Sequence, residues 1–312
     1  MTFALEDPQV RVAAPATLTL FLEVGRASQA PSEPAPFALA VQAISLADEV
    51  AASDSDEFTI DVAGLVDVDR VPADDRNLAI RAARMLAADT GYEYGVHLDL
   101  FKRIPVGSGM AGSVADAAAA LVACDALWQT GLTSAELSRI GARLSPHIPF
   151  ALRGGTAVGT ALGEQMSPAL ARDRIDWVLV IDDDAVPLPD VLQALNDHRE
   201  RHRLDIVPAR SAPGVDSVVL QALRTGDAVL LAEVMRNDLQ AAVLGLRPDL
   251  AEILETGEAS GALTGMVTAS GTTLAFLAPS SDAAAELQLR LDQAGYDAVR
   301  AHGPVPGART AM

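Results

Sequence analysis

From residue 104 to residue 116 the chain reads Ile-Pro-Val-Gly-Ser-Gly-Met-Ala-Gly-Ser-Val-Ala-Asp, with three glycines and four other small residues in its last ten positions. Glycine permits backbone angles that turn several N–H groups toward one point. The Ala-rich stretch that follows, Ala115 to Trp128, reads as a helix, and a helix start adds unpaired N–H groups and the positive end of a dipole. Pro105, Val106, Gly107, Ser108, Gly109, Met110, Ala111, Gly112, Ser113, Val114 and Ala115 are therefore candidates for holding a phosphate chain with backbone rather than basic side chains. A tight strand-to-helix turn with close packing would use the same residues, and spacing alone leaves both readings open. The Gly-Lys-Ser/Thr of the Walker loop is absent. Asp116 either complements the helix dipole or faces a ligand. His147 titrates near neutrality and can take a proton from a hydroxyl, or it is a polar histidine with no catalytic task. Cys124, the sole cysteine, reads as a small core residue and excludes disulfides or thiolate clusters within one chain.

The elements that must position these groups fit a chain of 312 residues, half of them hydrophobic, which suits two domains. Val10 to Val24 reads as two short strands with a break near Pro15, and a proline-rich loop follows from Ser28 to Pro36. Phe37 to Leu46 resumes with apolar and small residues. Phe58 to Leu65 and Val96 to Leu100 are strand candidates, and Arg76 to Ala88 is a helix with Leu78, Ala82, Met85 and Leu86 on one stripe. Ser134 to Leu144 is a helix capped by Thr133 or Ser134, which Pro146 and Pro149 stop. The domain join is expected near residues 165 to 172. Beyond it, Trp177 to Ile181, Leu263 to Thr268, Leu274 to Leu277 and Ala298 to His302 read as strands. Helices are expected at Leu188 to Arg201, Ser217 to Leu223, Ala228 to Val234, Pro248 to Thr256 and Asp282 to Ala294. The order is mixed α+β rather than strict βαβ alternation.

A net charge of −19 repels a nucleic-acid polyanion, so no nucleic-acid partner is expected. No apolar run reaches the roughly 18 residues of a membrane helix, and residues 1–10 lack the features of a signal peptide. The expected setting is the cytoplasm, without a membrane partner.

Pro105-Val106, Gly109-Met110-Ala111-Gly112 and Ala115-Asp116, followed by an Ala-rich helix ending in Leu127-Trp128, resemble the second motif of the GHMP small-molecule kinases. The version is that of the branch acting on 4-diphosphocytidyl-2-C-methylerythritol. The likeness continues in order through Ile44 to Val50, Asn77-Leu78-Ala79, Lys102, Ile148 to Ala157, Asn237-Asp238-Leu239 and Gly303 to Arg309. It implies an α+β, two-domain GHMP kinase fold. Residues 1–168 would form a ribosomal-protein-S5-like, ATP-binding domain and residues 169–312 a ferredoxin-like domain. It further implies transfer of the ATP γ-phosphate, with Mg2+, to the 2-hydroxyl of a cytidyl polyol in non-mevalonate isoprenoid synthesis. Asn77 would face the nucleotide base, Lys102 would lie near the adenosine, and Ile148 to Ala157 would be the strand after the catalytic aspartate. Monomer and homodimer both remain open.

Several positions depart from the family. Thr17 and Thr19 stand where the resemblance implies a catalytic lysine and an asparagine, and His147 stands at the aspartate. Residues 31–37 hold neither Tyr nor His for clamping a pyrimidine. Ser113-Val114 replaces Gly-Ser, and Thr268-Ala269-Ser270-Gly271 replaces Ser-Gly-Ser-Gly. These departures imply a kinase impaired at the transfer step. The alternative is an inactive homologue acting as a nucleotide sensor, a scaffold or a small-molecule binding protein.

Overall fold

The computed structural model describes residues 9–26, 35–160, 166–182 and 184–311. Most of the proline-rich loop, including the stretch compared with the pyrimidine clamp up to Pro34, lies outside them, as do the first eight residues, residues 161–165, Asp183 and Met312. In chain order the first part carries β1 (Val10–Val24), β2 (Phe37–Ser55), β3 (Phe58–Gly64), α1 (Leu78–Thr90), β4 (Gly95–Lys102), α2 (Gly112–Trp128), α3 (Ser134–Ala142), α4 (Ile148–Arg153), β5 (Thr156–Gly159) and β6 (Met166–Ala169). Then come β7 (Ile175–Val180), α5 (Leu188–Arg201), α6 (Ser217–Thr225), α7 (Ala228–Val234), β8 (Arg236–Asn237), α8 (Gln240–Leu246), α9 (Asp249–Ala259), β9 (Thr264–Val267), β10 (Leu274–Ala278), α10 (Ser281–Gln293), β11 (Ala298–Gly303) and β12 (Arg309–Thr310).

The first sheet runs β12-β1-β2-β4-β3, with β5 and β6 continuing from β2 and β8 beside β1. β1 is buried along most of its length, as suits a central strand crowded with Val, Leu and Ala. It is one strand, not the expected pair. Pro15 is accommodated because the β1–β2 register shifts between Pro15 and Ala16, where a missing N–H costs no ladder bond. A second shift falls between Thr19 and Phe21. The two irregularities flank Thr17 and Thr19, and such kinks re-aim the side chains between them. α2 packs on β1 and β2. Ala117 to Ala120 are wholly buried there, and methyl side chains let the helix backbone approach the sheet.

The residues after His147 are not extended, as the resemblance led us to expect from Ile148 onward, but form α4. Pro149 sits in its first turn, the one part of a helix where a missing N–H is harmless. The N–H groups of Phe150 and Ala151 both donate to the His147 carbonyl at 3.1 Å. The strand begins only at Thr156.

The second sheet is antiparallel, in the order β11-β7-β10-β9. Its strands and flanking helices give the β-α-β-β-α-β arrangement of ferredoxin-like folds, expected for the C-terminal half. Two short strands from that half, β8 and β12, nevertheless pair with β1 of the first sheet. The expected division after residue 168 falls inside β6, and the chain crosses back twice beyond it. Asn237 of β8 donates to the carbonyls of Val267 and Ala269, so the β9–β10 turn is tied to the first sheet. Phe276 of β10, wholly buried, fills space left by Gly257 and Gly265, where an added Cβ would stand 2.1 and 2.6 Å from its ring. Phe276→Ala should lower unfolding stability by about 3–5 kcal/mol, read from urea denaturation followed by far-UV circular dichroism.

Candidate functional site

The Gly-rich segment leaves β4 and enters α2 with Gly107 and Gly109 at φ +80° and Ala111 at φ +56°. These left-handed turns suit glycine and are unusual for alanine. The Thr17 N–H donates to the Met110 carbonyl at 3.0 Å, anchoring the segment to β1. On its other side the β9–β10 turn closes in. Thr268 Oγ1 donates to the Ser108 carbonyl, and a Cβ on Gly271 would lie 2.1 Å from that carbonyl. A Cβ on Gly109 would lie 2.0 Å from the Thr268 carbonyl. Both glycines are therefore required by close backbone approach. Pro105, Ser108, Met110 and Ala115 are buried, Val106, Ala111, Gly112 and Val114 half-buried, and Gly107 and Ser113 exposed. α2 begins at Gly112 rather than at Ala115, so the first-turn N–H groups that lack intrahelical acceptors belong to the loop itself.

Lys102 and Asn77 are occupied by the protein. Lys102 is buried under the loop, with Nζ 2.5 Å from Asp48 Oδ2 and 2.7 Å from Asp116 Oδ2. A Cβ on Gly112 would come within 3.1 Å of that ammonium. Asp48 Oδ1 accepts the N–H groups of Arg103 and Ile104 at 2.6 and 2.8 Å. Burial alone would pull the lysine pKa down, but Asp116 and Asp48 outweigh it and hold the ammonium above its ordinary value. Burial pushes the Asp116 carboxyl well above the usual carboxylate range, with Lys102 countering part of the rise. A Lys–Asp couple thus stands beside the Gly109 loop, but inside the protein. Asn77 caps α1, Oδ1 accepting the Ala79 N–H at 2.9 Å and Nδ2 donating to the Pro72 carbonyl at 2.7 Å.

Thr17 and His147, far apart in the chain, share one cleft of about 450 Å3. Gly109, Ala111 and Ala269 border it beside them. Ala269 holds a φ of +46°, a left-handed turn unusual for a residue with a side chain. Along the cleft, β1 and β2 present Leu22, Val24, Leu39 and Val41, and Leu188, Leu192 and Leu239 face them from the second half. Among the described residues lining the cleft, His147 alone is titratable and none is Lys, Arg, Asp or Glu. Burial lowers the His147 pKa below 6.5, so its ring is neutral at pH 7 and accepts rather than donates charge.

Sequence reasoning missed two features. Asp48 pairs with a lysine 54 residues away, and no local pattern signals a partner at that distance. Leu188 and Leu192 of α5 and Leu239 line the cleft, a placement the sequence does not signal, because periodicity does not tell a core-facing position from a cleft-facing one.

The GHMP kinases N terminal domain matches residues 77–157, and the GHMP kinases C terminal domain matches residues 219–297. Over 272 residues the chain is 51% identical to the 4-diphosphocytidyl-2-C-methyl-D-erythritol kinase of Clavibacter michiganensis, covering 87% of each protein. It is 49% identical over 301 residues to the enzyme of that name from Leifsonia xyli, covering 96% of this chain and 98% of the relative. A crystal structure of 4-(cytidine 5'-diphospho)-2C-methyl-D-erythritol kinase superposes with a TM-score of 0.74 at 26% identity, covering 94% and 98% of the two chains. The homoserine kinase of Cytophaga hutchinsonii, at 16% identity and a TM-score of 0.68 over 100% and 99% of the chains, shares the fold. The chain belongs to the GHMP kinase family.

Two measurements test the site. Lys102→Met leaves two buried carboxylates without their counter-charge and should cost about 3–5 kcal/mol, seen as a loss of chemical-denaturation stability at pH 7. His147 has a depressed pKa in the folded state. The unfolded chain therefore binds its proton more readily, and stability is complete above pH 6.5 and falls as pH drops through the depressed value. His147→Gln should flatten that decline in a Tm-against-pH series.

Proposed function

We propose that this chain is a phosphotransferase of the 4-diphosphocytidyl-2-C-methyl-D-erythritol kinase group whose transfer step is impaired. The observation that carries this reading is the shared cleft: Thr17 and His147 meet beside Gly109 and Ala111, with no ammonium and no carboxylate among the described lining residues. The relatives named for that activity at 44–51% identity support the kinase assignment.

In this reading ATP lies along the loop from Gly107 to Ser113, its phosphates met by backbone N–H groups at the start of α2. Magnesium takes oxygen ligands and keeps several waters. The exposed Ser113 hydroxyl is the protein donor at the loop that suits it, and the ion would offset charge on the phosphates. An acceptor hydroxyl presented at Thr17 loses its proton to the neutral imidazole of His147 while its oxygen bonds to the γ-phosphorus and ADP departs. Thr17 orients a hydroxyl but brings no positive charge to the transferring group, which phosphoryl transfer requires. Slow turnover follows. A cytoplasmic setting goes with this reading.

The same observation favours a second reading, in which the chain is a non-catalytic nucleotide or small-molecule binding protein. A coupled ADP-release assay with 4-diphosphocytidyl-2-C-methyl-D-erythritol separates the two. The impaired kinase should run about 100- to 1,000-fold below the Clavibacter relative, the loss expected for one missing charge-stabilising group. His147→Ala should reduce it by a further factor of about 100. ADP release no faster than the no-acceptor control would leave the binding protein standing. A rate untouched by His147→Ala would remove His147 as the base.

A further inference from the structure

β3 and β4 carry a cluster of ligating side chains on the face of the first sheet turned away from its core. Side chains of a strand alternate between its two faces. Ile60, Val96, Leu98 and Leu100 are buried, while Thr59, Asp61 and Asp99 are exposed and His97 is half-buried. The parallel register sets Thr59 opposite His97 and Asp61 opposite Asp99. His97 Nε2 lies 3.8 Å from Asp61 Oδ2 and 3.4 Å from Asp99 Oδ1. One ligand atom from each of the three residues lies within 4.8 Å of the other two. None of the three lines the cleft of Thr17 and His147.

Like charges set directly opposite one another weaken a sheet, and aspartate is a poor strand former. Among the described residues, His97 is the only ion-pair partner of Asp61 or Asp99. Arg11 and Arg103 border the same groove, but Arg11 donates to Gln9 and Arg103 pairs with Glu49. Gln9 Nε2 donates to Asp99 Oδ2 at 3.0 Å, which leaves Oδ1 for His97. Thr59 Oγ1 stands 2.8 Å from His97 Nδ1 and accepts its N–H in one of the two ring tautomers. The Nε2 lone pair then faces both carboxylates, as in a metal-bound histidine that donates its other ring N–H to a supporting group.

We infer that Asp61, His97 and Asp99 bind a divalent transition-metal ion of the zinc type on the outer face of the β3–β4 edge, with water completing its coordination. One imidazole and two carboxylates suit such an ion better than Mg2+ or Ca2+, which take oxygen ligands. An ion about 2.1 Å from each donor sets tetrahedral donors about 3.4 Å apart, the spacing of His97 and Asp99. The Asp61 side chain, 83% exposed, closes the remaining distance by rotation. The ion neutralises the facing carboxylates and fastens β3, the last strand in the order β12-β1-β2-β4-β3, to β4. A net charge of −19 favours cation capture. The site is independent of the kinase reading.

The test is isothermal titration of the EDTA-treated full chain, without an affinity tag or nucleotide, with ZnCl2 at pH 7 and with MgCl2 for comparison. One Zn2+ per chain is expected, with a rise in Tm that MgCl2 at equal concentration does not give. His97→Ala and Asp61→Asn should each weaken Zn2+ binding by about tenfold or more, and Thr59→Val, which removes only the support of the ring, by about tenfold. Asp61→Asn relieves the facing charges, so the metal-free variant should keep or raise its Tm, which separates loss of the site from loss of the fold. His198 and His202 stack with ring centroids 4.6 Å apart and are the competing imidazoles, so His198→Ala is the control and should leave binding unchanged. Absence of saturable Zn2+ binding, binding undiminished in His97→Ala and Asp61→Asn, binding lost in His198→Ala, or equal affinity for Mg2+ would overturn the inference.

Discussion

A single buried ammonium fixes where the Gly-rich loop meets the first sheet and α2. Lys102 at the end of β4 reaches Asp116 in the first turn of α2 and Asp48 in β2, so three elements distant in the chain converge on one buried charge. Asp48 extends the tie by accepting the Arg103 and Ile104 N–H groups, which sets where the chain leaves β4. One lysine facing two carboxylates leaves the cluster short of positive charge, and Asp116 Oδ1 has no hydrogen-bond partner among the described residues. Buried ion pairs are poor sources of net stability but effective at specifying one arrangement. Here the arrangement specified is the position of the α2 N-terminus.

The loop is held from above as well. Gly109 and Gly271 let two backbone turns approach to a distance that no side chain would permit, and Thr268 bridges them. Because β8 and β12 of the C-terminal half join β1, the second sheet is seated on the first through hydrogen bonds as well as apolar packing. The cleft exists because of this seating. Its polar end is made by β1, the loop and the residue preceding α4, and its apolar end by β1, β2 and α5.

The electrostatic contrast between the loop and the cleft follows from these placements. The charges that remain near the loop are buried and mutually neutralised in part, where they shape the backbone. In the cleft beside the loop the chain presents Thr17 and a neutral His147.

Much of this was legible in the residues. The collinear motifs defined the family, the Gly-rich run marked the loop, and most strands and helices fell within a few residues of their expected bounds, because hydrophobic period and capping are local properties. Pro15 misled for an equally local reason: a proline in a strand pattern predicts a break, whereas a register shift absorbs it; Pro146 and Pro149 do follow the end of α3, and Pro149 also sits in the first turn of α4. Asn77 and Lys102 were identified by position, but their occupation by Pro72, Ala79, Asp48 and Asp116 arises from contacts that only folding creates. The sequence by itself determined the family, the Gly-rich loop and the presence of Thr and His at positions 17 and 147, since these are matters of residue type and order. Only the tertiary structure decided that Thr17 and His147 face one cleft and that no described residue lining it is Lys, Arg, Asp or Glu, because a lining is assembled from segments more than 200 residues apart.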